Sequence, residues 1–407
     1  MVFFARADQS PLPLRERARV RGIKKATNMN NHTLDNAYEN RLKRKMIKLR
    51  WRNLHIDPTL FVGLILLAGL GLFILYSASN QNIPMLEKQS WRLLLSFGLM
   101  LVFAQIPPQR YQQWAPWIFL SVVLLLALVL LIGKVDQGAR RWLILGPVRF
   151  QPSEMMKLAL PMMLAWFLAE KPLPPKLSLL MLCGLLLVIP TLLTAKQPDL
   201  GTAIMIAASG IAVLLMAGIS WRLIATLLIL LILSTPILWH FMHHYQQARV
   251  LTFLNPERDP LGSGYHIIQS KIAIGSGGIF GKGWMNGTQS HLSFLPAHAT
   301  DFIFAVSGEE LGLIGSVLIL MVFLGIFARS LYISTQAQNT FSRLLAGSIS
   351  LTFILSAFVN IGMVIGILPV VGVPLPLISY GGSSMLITMI GFGMMMSIQT
   401  HRKLWSS

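Results

Sequence analysis

The sequence predicts an all-α polytopic membrane protein with about ten transmembrane helices. Of its 407 residues, 54% are hydrophobic and only 12% are charged. The mean hydropathy is +0.63, well above that of a soluble domain. Apolar runs of spanning length recur along nearly the whole chain, which excludes a soluble protein held by one anchor.

The first segment, residues 1–55, differs from the rest of the chain. We count 14 Lys and Arg against 4 Asp and Glu in residues 1–56. No apolar stretch with a cleavage site follows the first basic residues, so the segment does not resemble a signal peptide. We predict a basic, disordered, cytoplasmic segment and leave open whether residues 1–45 are translated in the cell. Because a membrane span follows directly, the positive charge favours anionic lipid over nucleic acid as its partner.

Residues 56–403 form the predicted transmembrane domain. Spanning helices need about 20 apolar residues each. The candidate spans are 58–78, 93–107, 114–133, 153–169, 177–194, 201–218, 222–241, 302–328, 343–366 and 378–397.

The charge pattern predicts that both termini are cytoplasmic. Ten spans place the two termini on one side, and the basic first segment assigns that side to the cytoplasm. The short loops do not add to this assignment, because each side carries eight Lys and Arg residues. Basic residues on the outer side oppose the usual bias. They suggest a negatively charged ligand there, such as the diphosphate of a lipid.

One long extracytoplasmic loop, 243–300, lies between predicted spans seven and eight. A loop of this length is usually functional. It contains several glycines in the stretch Gly275–Gly283, with Lys271 before this stretch and Lys282 near its end. No βαβ unit surrounds these glycines, so a nucleotide site is not indicated. We predict instead a loop whose backbone approaches a ligand, with both lysines able to contact phosphate.

Three acidic residues lie at the outer ends of apolar spans: Glu154, Asp199 and Asp301. Ionisable side chains at this depth are costly and tend to face a cavity or a partner. Their common depth predicts one cavity open to the outside. Asp301 is the foremost candidate, because it stands where the polar loop becomes a hydrophobic helix.

Each of these acids also has a structural interpretation. Glu154 and Lys157 are three residues apart on a helix, so they can form an ion pair that allows both to enter the membrane. Asp199 and Asp301 precede helices, where Asp commonly caps free backbone N–H groups. The residue pattern alone leaves these alternatives open.

The remaining signals are few. The stretch Pro374–Ser384 breaks a helix at membrane depth, which is tolerated where the backbone lines a cavity. Cys183 is the only cysteine, so it suits a packing role and excludes a cysteine metal cluster. The nine histidines show no metal-ligand spacing.

These motifs together resemble the SEDS family (shape, elongation, division and sporulation), and most closely its RodA branch. The resemblance covers residues from about 55 to 403. The stretches that carry it are Gly138–Trp142, Gln151–Lys157, Gln197–Thr202, Tyr265–Gln289, Asp301–Val306 with Glu309–Gly312, and Pro374–Ser383.

The resemblance implies a peptidoglycan glycosyltransferase that polymerises lipid II, with inversion at the sugar, for cell elongation. Asp301 matches the family's catalytic aspartate and is expected to be the general base. The expected substrate contacts, to the diphosphate or the sugars, are Arg141, Trp142, Glu154, Lys157, Asp199, Lys271, Lys282, Gln289 and Ser379. No cofactor is implied with certainty, and assistance by Mg²⁺ or Mn²⁺ is left open.

The resemblance also implies partners and a location. The expected partners are a class B penicillin-binding protein and other membrane proteins of the elongation complex, in the bacterial cytoplasmic (inner) membrane. The chain departs from the family pattern just before Asp301, where Ala297 and Ala299 replace a Glu and a His and His298 falls at a variable position. A lipid II flippase and a non-catalytic scaffold for the penicillin-binding protein are the alternative functions.

Overall fold

The computed structural model describes residues 54–402, except 137–138, 146–147, 243, 259–261 and 292–296. The predicted disordered segment therefore lies almost entirely outside the described residues. The described helices are α1 (Pro58–Ala78), α2 (Ile83–Gln105), α3 (Pro108–Ile132), α4 (Pro152–Leu168), α5 (Leu177–Ala195), α6 (Leu200–Met216), α7 (Trp221–Phe241), α8 (His244–Leu254), α9 (Ser263–Gly277), α10 (Thr288–His291), α11 (Ile303–Thr335), α12 (Thr340–Val364) and α13 (Ser383–Thr400).

The helices confirm an all-helical polytopic membrane protein. Every predicted span overlaps one of α1–α7 and α11–α13. Among the described residues, five of these helices, α1, α3, α5, α11 and α12, are long and apolar enough to cross a membrane by length and composition. Helices α4 and α6 have 17 residues each. Such a helix is about 26 Å long, slightly less than the thickness of the hydrocarbon core.

A small antiparallel sheet between α3 and α4 was not predicted. Its strands are β1 (Lys134–Asp136), β2 (Ala139–Leu145) and β3 (Val148–Phe150), in the order β1-β2-β3. In β2 and β3, Leu143 is opposite Phe150. Two of the strands, β1 and β3, have only three residues each, too few to show an alternation that could be recognised in a sequence. The sheet matters because it carries Arg141 and Trp142 towards the ends of α4 and α6.

Side-chain caps explain where several helices begin. Asp57, Asn82, Asp199, Ser220 and Asn339 each accept a hydrogen bond from a backbone N–H in the first turn of α1, α2, α6, α7 and α12. Such a cap satisfies one of the N–H groups that have no partner within the helix. Asp57 also binds Arg329 of α11, with Nη2 and Oδ2 2.5 Å apart, and this pair joins the start of α1 to α11.

The long loop is largely helical and packs onto α11. Gly312 interrupts α11 with a left-handed φ of +66°, which glycine adopts without steric cost. Facing this kink, the backbone N–H of Lys282 donates to the oxygen of Glu309 at 3.0 Å, and that of Leu313 donates to the oxygen of Gly278 at 3.0 Å. The glycine-rich stretch thus makes its close backbone approach to a helix, whereas the sequence analysis predicted a ligand.

Candidate active site

A polar cavity of about 340 Å³ lies where α4, α6, β2 and the segment before α13 meet. Five of the predicted site residues line it together. The lining residues are Arg141, Trp142, Gln151, Glu154, Lys157, Asp199, Thr202, Met205, Gly372, Val373, Pro374, Gly381, Gly382, Ser383 and Ser384. Residues distant in sequence therefore form one concave surface. A second groove, beside α6 and α12, is apolar by contrast.

Glu154 and Lys157 form an ion pair on the wall of this cavity. Lys157 Nζ lies 2.6 Å from Glu154 Oε2, and the two side chains are 11% and 7% exposed. The spacing of three residues places both on one face of α4. The ion pair and the cavity wall, which were alternatives in the sequence, are both present.

Asp199 likewise combines a structural contact with a place on the cavity wall. Its Oδ1 accepts a hydrogen bond from the N–H of Thr202, which caps α6, and its Oδ2 accepts from Gln151 Nε2 at 2.8 Å. Arg141 Nη1 lies 3.9 Å from Asp199 Oδ1, and Arg141 also donates to the oxygen of Pro198. The guanidinium is thereby fixed at the cavity while its side chain stays partly exposed.

Three helices begin at the cavity. Helix α4 begins beside Gln151, α6 beside Asp199 and α13 beside Gly382, and α4 and α13 have no side-chain cap on their first turns. The free N–H groups of a helix N-terminus carry partial positive charge and favour anions. The formal charges of Arg141 and Lys157 are balanced by Glu154 and Asp199. The helix ends therefore make the cavity favourable for an anion such as a diphosphate.

Asp301 lies at the edge of the cavity, in the turn before α11. A Cβ added at Gly372, which lines the cavity, would lie 3.7 Å from Asp301 Oδ2. Burial raises the pKa of the Asp301 carboxyl above its ordinary value, and the positive charge of Arg249 opposes this rise. A half-buried carboxylate with a raised pKa, next to a polar cavity, is suited to accept a proton.

The turn that carries Asp301 is tied to the segment before α13 by several hydrogen bonds. Ser379 is buried, and its hydroxyl donates to the oxygen of Thr300 at 2.7 Å and accepts from the N–H of Leu375 at 2.8 Å. The N–H of Tyr380 donates to the oxygen of Ala299 at 2.9 Å. Ser379, predicted as a substrate contact, is thus placed behind the cavity wall with its hydroxyl engaged in backbone contacts.

Three further predicted residues lie away from the cavity lining. Lys282 pairs with Glu309, with 2.7 Å between Nζ and Oε1, and the N–H of Gln289 donates to the same carboxylate. Lys271 lies against Gly366, where an added Cβ would be 2.7 Å from its Nζ. Lys282 and the backbone of Gln289 tie the long loop to α11, and Lys271 lies beside the segment after α12; the three residues are not among those that line the cavity.

Two arginines that were not predicted as site residues lie near the site. Arg249 of α8 donates to the oxygen of Val370 at 3.2 Å and acts electrostatically on Asp301. The Arg92 guanidinium lies 4.7 Å from the centre of the Tyr380 ring, next to Gly382. Neither arginine stands in a distinctive local pattern, so only the folded structure relates them to the cavity.

The unusual residues before Asp301 adopt a strained turn. Ala297 has a φ of +52°, a left-handed conformation that costs a residue with a Cβ about 1–2 kcal/mol. Its oxygen accepts hydrogen bonds from the N–H groups of Thr300 and Phe302. His298 is half-buried in the same turn. Among the described residues, no group of three His, Cys, Asp or Glu side chains could hold a metal ion.

Two substitutions test whether the Glu154–Lys157 pair does more than permit insertion. We expect Glu154→Gln to lower the unfolding free energy by about 3 kcal/mol, because it leaves a nearly buried ammonium without its partner. The exchanged pair, Glu154→Lys with Lys157→Glu, should recover most of this stability in a thermal unfolding measurement.

The activity of the exchanged pair separates the two interpretations. If Lys157 faces a bound anion, the protein with the exchanged pair should be stable, but its activity should fall at least about tenfold. The reason is that a glutamate then occupies the position of the lysine ammonium group. Full recovery of both stability and activity would show that the pair is only structural.

Comparison with known proteins identifies relatives along almost the whole chain. The family model of the FtsW, RodA and SpoVE cell cycle proteins matches residues 57–404. The peptidoglycan glycosyltransferase MrdB of Escherichia coli K12 is 51% identical over 360 residues, which cover 88% of this chain and 97% of that protein. A probable peptidoglycan glycosyltransferase FtsW of Trichlorobacter lovleyi is 37% identical, with the same coverage of 88% and 97%.

Solved structures show the same fold. A chain from a study of how a peptidoglycan synthase complex coordinates polymerization and crosslinking matches with a TM-score of 0.75 and 34% identity, covering 86% of this chain and 98% of that one. The rod shape determining protein RodA of Thermus thermophilus matches with a TM-score of 0.65 and 28% identity, covering 85% and 98%.

Proposed function

Because this chain belongs to the SEDS family of FtsW, RodA and SpoVE proteins and is a peptidoglycan glycosyltransferase, we propose that it polymerises lipid II into glycan strands for cell elongation. The observation that carries this proposal is the polar cavity with Asp301 at its edge. The cavity offers a place for an anionic, sugar-bearing lipid headgroup. Beside it, the carboxylate of Asp301 can accept a proton.

The proposed reaction joins two lipid-linked sugars. The 4-hydroxyl oxygen of one GlcNAc attacks the anomeric carbon of MurNAc in the growing glycan, and the bond from that carbon to the diphosphate breaks with inversion. Asp301 takes the hydroxyl proton, and undecaprenyl diphosphate leaves with the bonding electron pair. A general base placed within hydrogen-bond reach typically contributes about 10²–10⁴ in rate.

The cavity is suited to stabilise the leaving diphosphate. Arg141 and Lys157 supply positive charge, and the N-termini of α4, α6 and α13 add free or partly free backbone N–H groups. Fixed donors and cations that face a developing negative charge lower the barrier because they are oriented before the reaction.

We also assign the protein a setting. With ten spans and a basic first segment, both termini are cytoplasmic and the cavity opens on the outer face of the bacterial inner membrane. A class B penicillin-binding protein that crosslinks the strands is the proposed partner, in keeping with the similarity to a chain from a peptidoglycan synthase complex. Lys271, Lys282 and Gln289 act, in this proposal, by holding the long loop.

A reconstitution experiment tests the function. The purified full chain, with and without its penicillin-binding protein, is incubated with lipid II in detergent and in liposomes, and the products are separated on a gel. We expect long glycan strands both in detergent and in liposomes. Movement of lipid II across the liposome bilayer without polymer would indicate the flippase instead, and neither product would indicate the scaffold.

A further inference from the structure

Asn360 connects the turn of Asp301 to the cavity wall. It lies on α12 and is fully buried. Its Nδ2 donates to the oxygen of Asp301 at 2.9 Å and to the oxygen of Val373 at 2.8 Å. Both partners are carbonyl oxygens, which only accept, so the amide nitrogen must face them. One side chain therefore bridges the segment that bears the base and the segment that lines the cavity.

The amide oxygen of Asn360 offsets part of the stability that the two hydrogen bonds provide. Asn360 Oδ1 is buried and has no hydrogen-bond partner among the described residues. A buried acceptor without a partner costs about 1–3 kcal/mol of stability. Leucine, of similar size, would remove this unpaired oxygen, although it would also leave the backbone oxygens of Asp301 and Val373 without the N–H groups from which they accept. The amide therefore contributes less to stability than its two short hydrogen bonds suggest.

The bridge joins the turn of Asp301 to residues that lie beside the Asp301 carboxylate. Val373 and Gly372 line the cavity, and a Cβ added at Gly372 would lie in ordinary van der Waals contact with Asp301 Oδ2, at 3.7 Å. On the other side, Ser379 and Tyr380 fasten Thr300 and Ala299 to the segment before α13. Those ties keep the turn folded without Asn360. Loss of the amide should therefore change the placement of the carboxylate more than the fold.

We propose that Asn360 is a positioning residue, which holds Asp301 at the separation from the cavity wall that the glycosyl transfer requires. The inference rests on the proposed function, since it concerns the base of that reaction. A misplacement of about 1 Å can cost about 10² in rate. The effect should fall on kcat, because the groups that bind the substrate, Arg141 and Lys157, are on other elements.

The test uses two variants of the full chain. Asn360→Leu removes both the donor and the unsatisfied acceptor, and Asn360→Asp keeps the shape but replaces the donating NH₂ group. We expect kcat for glycan formation to fall about 10- to 100-fold in both, with KM within about twofold of the wild type. We also expect the Tm of Asn360→Leu to stay within a few degrees of the wild type, although its kcat falls.

Ser348→Ala is the matched control. Ser348 is a buried residue of the same helix whose hydroxyl donates to the oxygen of Ser209 at 2.7 Å, and it lies about 18 Å along α12 from Asn360. This variant should keep the wild-type kcat even if its Tm falls. It separates loss of a buried hydrogen bond in α12 from loss of the bridge to Asp301.

Three results would overturn the inference. Wild-type kcat in Asn360→Asp would show that the amide donor is not needed. A KM that rises as much as kcat falls would indicate substrate binding, and a Tm or yield of Asn360→Leu far below that of Ser348→Ala would indicate a structural residue. If the wild type forms no glycan, the proposed function fails and this inference fails with it, whereas glycan from the wild type makes the three results specific to Asn360.

Discussion

Asp301→Asn should abolish glycan formation while leaving the protein folded. The amide cannot accept the hydroxyl proton, so we expect the rate to fall by about 10³, within the usual contribution of a general base. The fold should persist, because the ties to this turn run through the backbone oxygens of Asp301, Thr300 and Ala299. The measurement is the initial rate of polymer formation from lipid II, with the thermal unfolding curve recorded for the same sample.

Glu257→Gln is a suitable control for this prediction. Glu257 is exposed and belongs to the long loop, 243–300, that precedes Asp301, so the variant makes the same change in net charge away from the cavity. Its rate should equal that of the wild type. Polymer formation by Asp301→Asn at the wild-type rate would remove Asp301 from the role of the base, even if the function itself were correct.

Glu309→Leu should cause the largest loss of stability. The Glu309 side chain is fully buried and accepts hydrogen bonds from Lys282 Nζ at 2.7 Å, from the N–H of Thr288 at 2.9 Å and from the N–H of Gln289 at 3.2 Å. Removing one partner of a buried ion pair costs about 3–5 kcal/mol. Several degrees of Tm should be lost, and the segment 282–289 should detach from α11.

Limited proteolysis and a control substitution at an exposed glutamate test whether the loss of stability is specific to Glu309. In the wild type Lys282 is bound to Glu309, so cleavage after Lys282 by trypsin should be slow, and it should become fast in Glu309→Leu. Glu170→Gln, which changes an exposed glutamate, should alter neither the Tm nor the cleavage rate. An unchanged Tm in Glu309→Leu would mean that the carboxylate does not anchor the loop.

Local sequence patterns sufficed to predict the helices and part of the site. Apolar length located the helices, because a bilayer imposes nearly the same length on each span. The spacing of Glu154 and Lys157 predicted their contact, since residues three apart share a helix face. Asp199 before an apolar run predicted a cap, and the distances agree with it.

The features that could not be predicted depend on contacts between distant segments. Asn360 and Arg249 stand in ordinary surroundings in the sequence, and their relation to Asp301 arises only when α8, α12 and the turn before α11 pack together. The glycines of the long loop were predicted to let the backbone approach a ligand, but Gly277 and Gly281 lie against the backbone of α11 instead. Their partner is the kink at Gly312, which no local pattern reveals.

If Asp301 accepts a proton during polymerisation, the pH dependence of kcat at saturating lipid II must reveal its titration. Burial raises the pKa of Asp301 above the ordinary value of 3.8, so the rate should fall as the pH is lowered, with half of the activity lost at a pH above 3.8. The residual rate of Asp301→Asn should lack this acid limb. A wild-type kcat that stays constant down to pH 4 in folded protein, or an acid limb that persists in Asp301→Asn, would contradict the account.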